Sequence, residues 1–307
     1  MKKIMKWIKR IFVALLGLIL LTVIALWISF YFWKKNVIAN LPDDTKIIST
    51  TNGQIEYILE GNSNRVMLVI HGSPGSVHVS RLEASTFLDK GFSVLSVSRP
   101  GYYQTPLSSG KTVKEQAALY LSLINELGIE SVYVNGVSGG GPSSIQFAID
   151  YPERCSGLIL RAAVSEKLDI PKDEKNLLVK FFETEFGTWL GIQIALSQSD
   201  EITKKNFDLM VKRGYLPFEK TEEGYKNDII QFAGMDDLKL ENILSPTIIF
   251  HGNKDDNVPF LWAQNASKRI PIATLVEMKE KDHFVFLTSY ADTINNAIVQ
   301  FIDSQNK

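Results

Sequence analysis

The chain has 307 residues, of which 45% are hydrophobic and 22% charged. This balance is typical of a globular protein with a full core and excludes a disordered or low-complexity one. The first 35 residues contain seven basic and no acidic side chains, so the rest of the chain, with 26 basic and 34 acidic residues, has a net charge of −8. An acidic body argues against nucleic acid as a partner, because phosphate binding depends on clustered Lys and Arg.

The N-terminal segment has the composition of a membrane anchor. Residues 1–10 are basic, and residues 11–33 carry no charge over a length that can cross a bilayer. This run is longer than the apolar part of a cleaved signal peptide and is followed by Lys34 and Lys35 rather than by a small-residue cleavage site, so we expect an uncleaved signal anchor. More basic residues precede the run than follow it, which predicts a cytoplasmic N-terminus and an extracytoplasmic folded domain. An aromatic belt is predicted at the outer interface, formed by Trp27, Phe30, Tyr31, Phe32 and Trp33.

The residues after the anchor predict a linker and then an open α/β sheet. We assign residues 34–45 to the linker, and Asn52-Gly53 between two alternating segments predicts a β-hairpin. Strand-like runs then alternate with helical patterns, which predicts a mostly parallel, doubly wound sheet with helices on both faces. The hairpin strands are predicted at 46–50 and 54–60, and further strands at 66–70, 93–97, 132–137, 157–160, 247–250 and 274–278.

One long stretch breaks this alternation. Residues 165–242 contain no convincing strand and instead mix apolar and charged segments, such as 177–182 and 188–196. A helical insertion that forms a second lobe is therefore predicted here. The α/β core is then built from residues 46–164 and 243–307.

Two glycine-containing turns follow predicted strands, where open α/β sheets bind their ligands. They are HGSPG at 71–75 and GVSGGGP at 136–142. Neither has the GxGxxG spacing or the Gly-Lys-Ser/Thr ending that cradles a phosphate, which argues against a bound dinucleotide. The second turn instead matches G-x-S-x-G, a nucleophile elbow. Such a turn requires small residues at Gly136 and Gly140, because a β-carbon there would crowd the tight bend that presents Ser138.

A serine nucleophile needs a base that a third group orients. The chain has four histidines, His71, His78, His251 and His283. The first and third precede a glycine at a strand end and are expected to hydrogen-bond backbone, and the second lies in a helix entry with no acidic partner indicated. His283 follows the last predicted strand and can face Ser138, so it is the predicted base. The acid is expected in the turn HGNKDDNVP at 251–259, where periodicity alone does not separate Asp255 from Asp256.

The motifs HGSPG, GVSGG, HGNKDDNVP and KDHF, in this order, resemble the α/β-hydrolase superfamily, and HGSPG is similar to the HGGPG of proline iminopeptidases. The resemblance implies that Asp255 is the acid and that residues 165–242 are a helical cap. It also implies an oxyanion hole formed by the backbone N–H groups of Ser73 and Gly139. Residues 98–102 resemble the family's DxRGxGxS loop and are interpreted as a structural turn, in which Ser98 and Tyr103 depart from the family pattern.

The resemblance implies a serine hydrolase that acts through a covalent acyl intermediate. Together with the predicted anchor and the apolar segments of the cap, it predicts a membrane-anchored enzyme acting on a carboxylic ester or related small acyl substrate. Alternatives are an iminopeptidase-like aminopeptidase, a serine-based C–C hydrolase or lyase, and a non-catalytic membrane-tethered binding protein. The serine at the elbow excludes the Asp-nucleophile chemistry of epoxide hydrolases. No cofactor or metal is expected, Cys155 excludes a zinc site built on cysteines, and the oligomeric state stays open. A peptidase would need acidic cap residues for a substrate ammonium, and the candidates are Glu166, Asp169, Asp173, Glu183 and Glu185.

Overall fold

A computed structural model describes residues 2–168, 177–182, 184–197 and 199–305. The chain divides into two compact units. The smaller unit combines residues 1–41 with residues 174–197, and the larger unit contains residues 42–173 and 198–307. Three of the acidic cap candidates named above, Asp169, Asp173 and Glu183, lie outside the described residues.

The smaller unit is built on one long helix, α1 (Lys2–Ala39). It extends beyond the predicted span of 11–33 at both ends, so the first six residues of the predicted linker are helical. The helix continues because no proline interrupts the sequence before Pro42. It is long and apolar enough to cross a membrane, and its most apolar window is not buried against other parts of the protein. The unit also contains α5 (Leu177–Phe182) and α6 (Glu185–Leu196).

The larger unit contains the predicted sheet. Within the described residues, eight strands run in the order β1-β2-β4-β3-β5-β6-β7-β8. The hairpin is antiparallel and joins β4 in antiparallel pairing, and all pairs beyond β4 are parallel. The strands are β1 (Lys46–Thr50), β2 (Gly53–Glu60), β3 (Val66–Ile70), β4 (Ser93–Val97), β5 (Val132–Val137), β6 (Cys155–Arg161), β7 (Thr247–Gly252) and β8 (Ala273–Met278). The mostly parallel α/β prediction is confirmed.

Helices cover both faces of this sheet, as predicted. The third, fourth and ninth helices share one hydrophobic core with the strands, and the second and tenth helices share another. Every residue of β3 is buried, because a central parallel strand has helices on both sides. The helices are α2 (Val77–Ala84), α3 (Val113–Glu126), α4 (Gly141–Asp150), α9 (Phe260–Arg269) and α10 (Ala291–Gln305).

The described residues between β6 and the seventh strand are helical or irregular and contain no strand. Besides α5 and α6, they include α7 (Glu201–Met210) and α8 (Glu222–Gly234), which belong to the larger unit. The assignment of the whole stretch 165–242 to one cap stays a prediction, since its helices are divided between the two units.

Candidate active site

Ser138 lies on a strained turn between β5 and α4. Its φ of 47° is in the left-handed region, which a non-glycine residue rarely adopts. A β-carbon at Gly136 would collide with the side chain of Ser144, and one at Gly140 would collide with the carbonyl oxygen of Ile70. The two glycines therefore make the bend possible. The N-terminus of α4, which is the positive end of the helix dipole, lies next to the serine in the sequence.

His283 bridges Ser138 and Asp255. Its Nε2 lies 3.0 Å from the serine Oγ, and its Nδ1 lies 2.7 Å from Asp255 Oδ2. The histidine side chain is 12% exposed, whereas that of the aspartate is fully buried. The three side chains that were singled out from sequence thus form one continuous hydrogen-bonded line, from a half-buried hydroxyl to a buried carboxylate.

The loops that carry the acid and the histidine are joined by their backbones. The Lys254 N–H donates to the Lys281 carbonyl at 2.9 Å, and the Asn253 N–H donates to Met278 O at 3.1 Å. Gly252 permits this approach, because a β-carbon there would collide with the backbone at Lys281. These contacts after β7 and β8 therefore fix Asp255 and His283 relative to each other.

The surroundings of Asp255 favour its ionised form. Burial by itself raises the pKa of this carboxyl group, but hydrogen bonds from His251 and His283, and the charge of His283, lower the pKa overall, well below its usual range. The second oxygen accepts the N–H groups of Asn257 at 2.9 Å and Val258 at 2.8 Å. Asp256, by contrast, is exposed. The geometry therefore places Asp255, and not its neighbour, against the imidazole.

Ser73 and Gly139, the two residues expected to supply oxyanion donors, lie side by side. The backbone nitrogen of Ser73 is 3.2 Å from the position that a β-carbon would take at Gly139, and the Ser73 hydroxyl occupies the same space. A β-carbon at position 139 would therefore displace the side chain of Ser73. The two backbone segments are thus adjacent next to the nucleophile.

A buried ion pair between the 98–102 loop and α8 supports Ser73, and it was not predicted from the sequence. Arg99 Nη2 lies 2.5 Å from Asp228 Oδ1, and the two side chains are 1% and 3% exposed. The Ser73 hydroxyl donates to Asp228 and accepts from Arg99 Nη1 at 3.1 Å, and Tyr102 Oη donates to Asp228 at 2.6 Å. Burial alone lowers the pKa of Arg99, but the charge of Asp228 outweighs it and raises the pKa. The loop at 98–102 thus carries a structural cluster that joins α8 to the HGSPG turn.

We expect Asp228→Asn to lower the free energy of unfolding by about 3–5 kcal/mol, because Arg99 would stay charged and buried without its counter-ion. The matched control is Asp237→Asn, which breaks the exposed Arg269–Asp237 pair, whose side chains are 32% and 59% exposed. That change should cost about 1 kcal/mol or less. Denaturant titration of both variants in detergent measures the difference, and equal small losses would show that the buried pair does not stabilise the fold.

The other histidines bind backbone or pair locally, outside the line formed by Ser138, His283 and Asp255. His71 Nδ1 donates to Gly72 O at 2.7 Å, and its Nε2 accepts the Arg99 N–H at 3.0 Å. His251 Nε2 lies 2.9 Å from Val258 O and 3.2 Å from Oδ2 of the buried Asp255. His78 has an acidic neighbour that the sequence did not indicate, Asp44, at 3.8 Å.

His71 makes the stability of the fold depend on pH. Burial and the charge of Arg99 lower its pKa from 6.5 to about 3. Between these values the unfolded chain binds a proton that the folded chain does not, so the stabilisation present above pH 6.5 is lost on acidification, by about 1.4 kcal/mol per pH unit.

We therefore expect His71→Asn to be less stable than the wild type at pH 7 but to lose less stability between pH 7 and pH 5. Asparagine has a donor nitrogen and an acceptor oxygen, as the neutral imidazole has a donor and an acceptor nitrogen, but it carries no titrating group. Denaturant titrations of both proteins at the two pH values give the comparison. Parallel losses in the two proteins would assign the pH dependence to other groups.

Within the described residues, no group of three His, Cys, Asp or Glu side chains is arranged to hold a metal ion.

The sheet order and the serine elbow define the class of α/β hydrolases. A family model for the alpha/beta hydrolase fold matches residues 65–290. The uncharacterized hydrolase YcgS of Bacillus subtilis (strain 168) is 28% identical over 280 residues, which cover 84% of this chain and 98% of the relative. A 2-hydroxy-6-oxononadienedioate/2-hydroxy-6-oxononatrienedioate hydrolase of a Pseudomonas species is 23% identical, over 84% of this chain and 96% of the relative. A solved alpha/beta hydrolase fold protein from Nakamurella multipartita is 27% identical with a TM-score of 0.71, over 84% of this chain and 98% of that one.

The chain therefore belongs to the α/β hydrolase fold family and is a hydrolase of that fold.

Proposed function

We propose that this protein is a membrane-anchored serine hydrolase that cleaves a carboxylic ester or a related small acyl substrate. The observation that carries the proposal is the hydrogen-bonded line from Ser138 through His283 to Asp255, which begins on a backbone strained at the serine. Strain of this kind is retained where it serves a function.

In the proposed mechanism, His283 removes the hydroxyl proton of Ser138 as the oxygen attacks the substrate carbonyl. Asp255 holds the imidazole in one tautomer and stabilises its protonated form. The backbone N–H groups of Gly139 and Ser73 bind the oxyanion, and the protonated histidine then passes its proton to the leaving group. Water, activated by the same histidine, releases the acyl group from the serine.

Two of the five acidic residues considered for binding a substrate ammonium lie in the described part of the chain, and their contacts favour an acyl ester over a peptide with a free amino terminus. Of the candidates for binding a substrate ammonium, Glu166 accepts a hydrogen bond from Asn265 at 2.9 Å, and Glu185 pairs with Lys34 at 2.5 Å. Asp228 is neutralised by Arg99. These carboxylates are already engaged, so they offer poor sites for an ammonium group.

A fluorophosphonate probe tests the enzyme proposal directly. We expect covalent labelling at Ser138, which a folded binding protein without turnover would not show. A panel of p-nitrophenyl esters of increasing chain length, tested beside aminoacyl-naphthylamides, then identifies the bond that is cleaved. Turnover of the amides alone would favour the aminopeptidase. Labelling without turnover of either group would direct the search to C–C substrates such as the one in the name of the Pseudomonas relative.

We also propose that α1 is an uncleaved anchor with its N-terminus in the cytoplasm and the hydrolase domain outside. The basic excess before the apolar run supports this orientation. Carbonate washing should leave the protein in the membrane fraction, and protease added to spheroplasts should digest the domain. Protection of the domain would reverse the orientation, and release of a shortened protein would show that the segment is a cleaved signal.

A further inference from the structure

Two helices of the insertion belong to the same unit as α1, and one of them packs against the end of the apolar run. The ring of Phe30 lies 5.6 Å from those of Phe186 and Trp189, measured between centroids. Lys34 Nζ lies 2.5 Å from the carboxylate of Glu185. Aromatic and ionic contacts thus hold α6 at the level of residues 30–34.

The surface of α6 is poorly suited to water. After Glu185 the helix reads FGTWLGIQIAL without a charge, and a helix that is apolar on all sides is normally buried in a core or in lipid. Ile194 is nevertheless 62% exposed, and Phe181 and Phe182 of the neighbouring α5 are 37% and 40% exposed. The described parts of the chain therefore leave an apolar surface uncovered.

The position of α6 along α1 identifies what covers this surface. Under the proposed function α1 crosses the bilayer, and the apolar run ends at Trp33. At about 1.5 Å per residue, residues 30–34 lie within about 6 Å of that end. This is the interfacial layer, where aromatic side chains are enriched and where apolar helix faces insert. Lys34 neutralises the single carboxylate of α6, so the helix brings no unpaired charge into this layer.

We propose that α5 and α6 lie in the membrane interface on the side of the hydrolase domain, with Phe181, Phe182 and Ile194 in contact with lipid. These two helices, here called the collar, form a second membrane-binding element in addition to α1. The inference rests on the proposed anchor, because without α1 in the membrane nothing fixes the collar at this depth.

The test uses the full chain with Cys155, its single cysteine, replaced by alanine, in vesicles of phosphatidylcholine and phosphatidylglycerol. A polarity-sensitive fluorophore is attached to Ile194→Cys in the collar. The matched control is Ile272→Cys, an isoleucine of the larger unit that is 53% exposed. Leu20→Cys, within the apolar run, reports separately on the anchor.

We expect the label at position 194 to emit at shorter wavelength than the label at 272 and to be quenched by a nitroxide near the lipid headgroup but not by aqueous iodide. The label at position 20 should be quenched by a nitroxide deep in the acyl chains. The label at position 20 can be quenched by the deep nitroxide while iodide quenches the label at 194 as strongly as the label at 272. In that case the proposed membrane contact of the collar is wrong, and the proposed anchor is retained.

Shielding of position 194 from both quenchers would also overturn the collar, since another protein surface, such as a second copy of the chain, would then cover it. Quenching of position 20 by iodide would overturn the anchor and the collar together. The four patterns of quenching thus separate failure of the inference from failure of the proposed function.

Discussion

Replacing Ser138 by alanine should lower kcat/KM by on the order of 10³-fold or more, because no other group at the elbow can form the covalent intermediate. Residual turnover would come from the oxyanion donors and from substrate binding alone. The fold should persist, since alanine fills the same backbone position with fewer atoms. Initial rates on an ester substrate, together with loss of fluorophosphonate labelling, measure the effect.

Ser143→Ala is the matched control for this change. Ser143 is also buried beside the elbow, on the first turn of α4, but its hydroxyl is directed to Gly140 O at 3.4 Å and does not contact the histidine. Its loss should alter turnover by a small factor only. A similar loss in both variants would attribute the effect to packing of the helix, and near-native turnover of Ser138→Ala would refute the elbow assignment.

The second large effect is expected from Asp255→Asn, which should reduce kcat by about 10²- to 10⁴-fold. The amide oxygen would be needed to accept from the Asn257 and Val258 N–H groups, so the NH2 group would face His283 Nδ1 and donate to it, which fixes the wrong tautomer. The neutral amide also does not stabilise the protonated imidazole. Asp256→Asn removes the same charge one residue away on an exposed side chain. Asp256→Asn should therefore reduce kcat only slightly.

Rates of the two variants across a range of pH give the comparison, and circular dichroism checks that both are folded. A greater loss in Asp256→Asn would transfer the role of the acid to that residue. Equal and small losses of activity would mean that groups other than Asp255 orient the imidazole. His251 and the backbone at Val258, which both contact Asp255, would then be the next residues to test.

The sheet and the elbow could be predicted because their signals are local. Alternating and apolar runs mark the strands, and the small residues around Ser138 are required by a bend whose geometry the sequence motif encodes. The choice between Asp255 and Asp256 came only from the family resemblance, because two adjacent carboxylates in a turn have the same local pattern. The structure separates them through burial, which depends on how the loop from β7 meets the loop that carries His283.

Contacts between distant segments were not accessible from the sequence. Arg99 and Asp228 are 129 positions apart, and nothing near Asp228 distinguishes it from a carboxylate on a solvated helix face. The packing of α6 on α1 joins residues 151 positions apart at Lys34 and Glu185. The helical extent of α1 beyond the apolar run was also not predicted, because an apolar run marks the length that can cross a membrane and not the point where the helix ends.

The buried cluster around Arg99 limits how this enzyme can be recombined with its relatives. A chimera that exchanges residues 165–242 replaces Asp228 but keeps Arg99, Tyr102 and Ser73, which are encoded far upstream. A donor segment without an acid at that place would leave a guanidinium sealed in the interior. Grafts that carry a carboxylate to this position, or that exchange the 98–102 loop together with the insertion, should be the ones that yield folded protein.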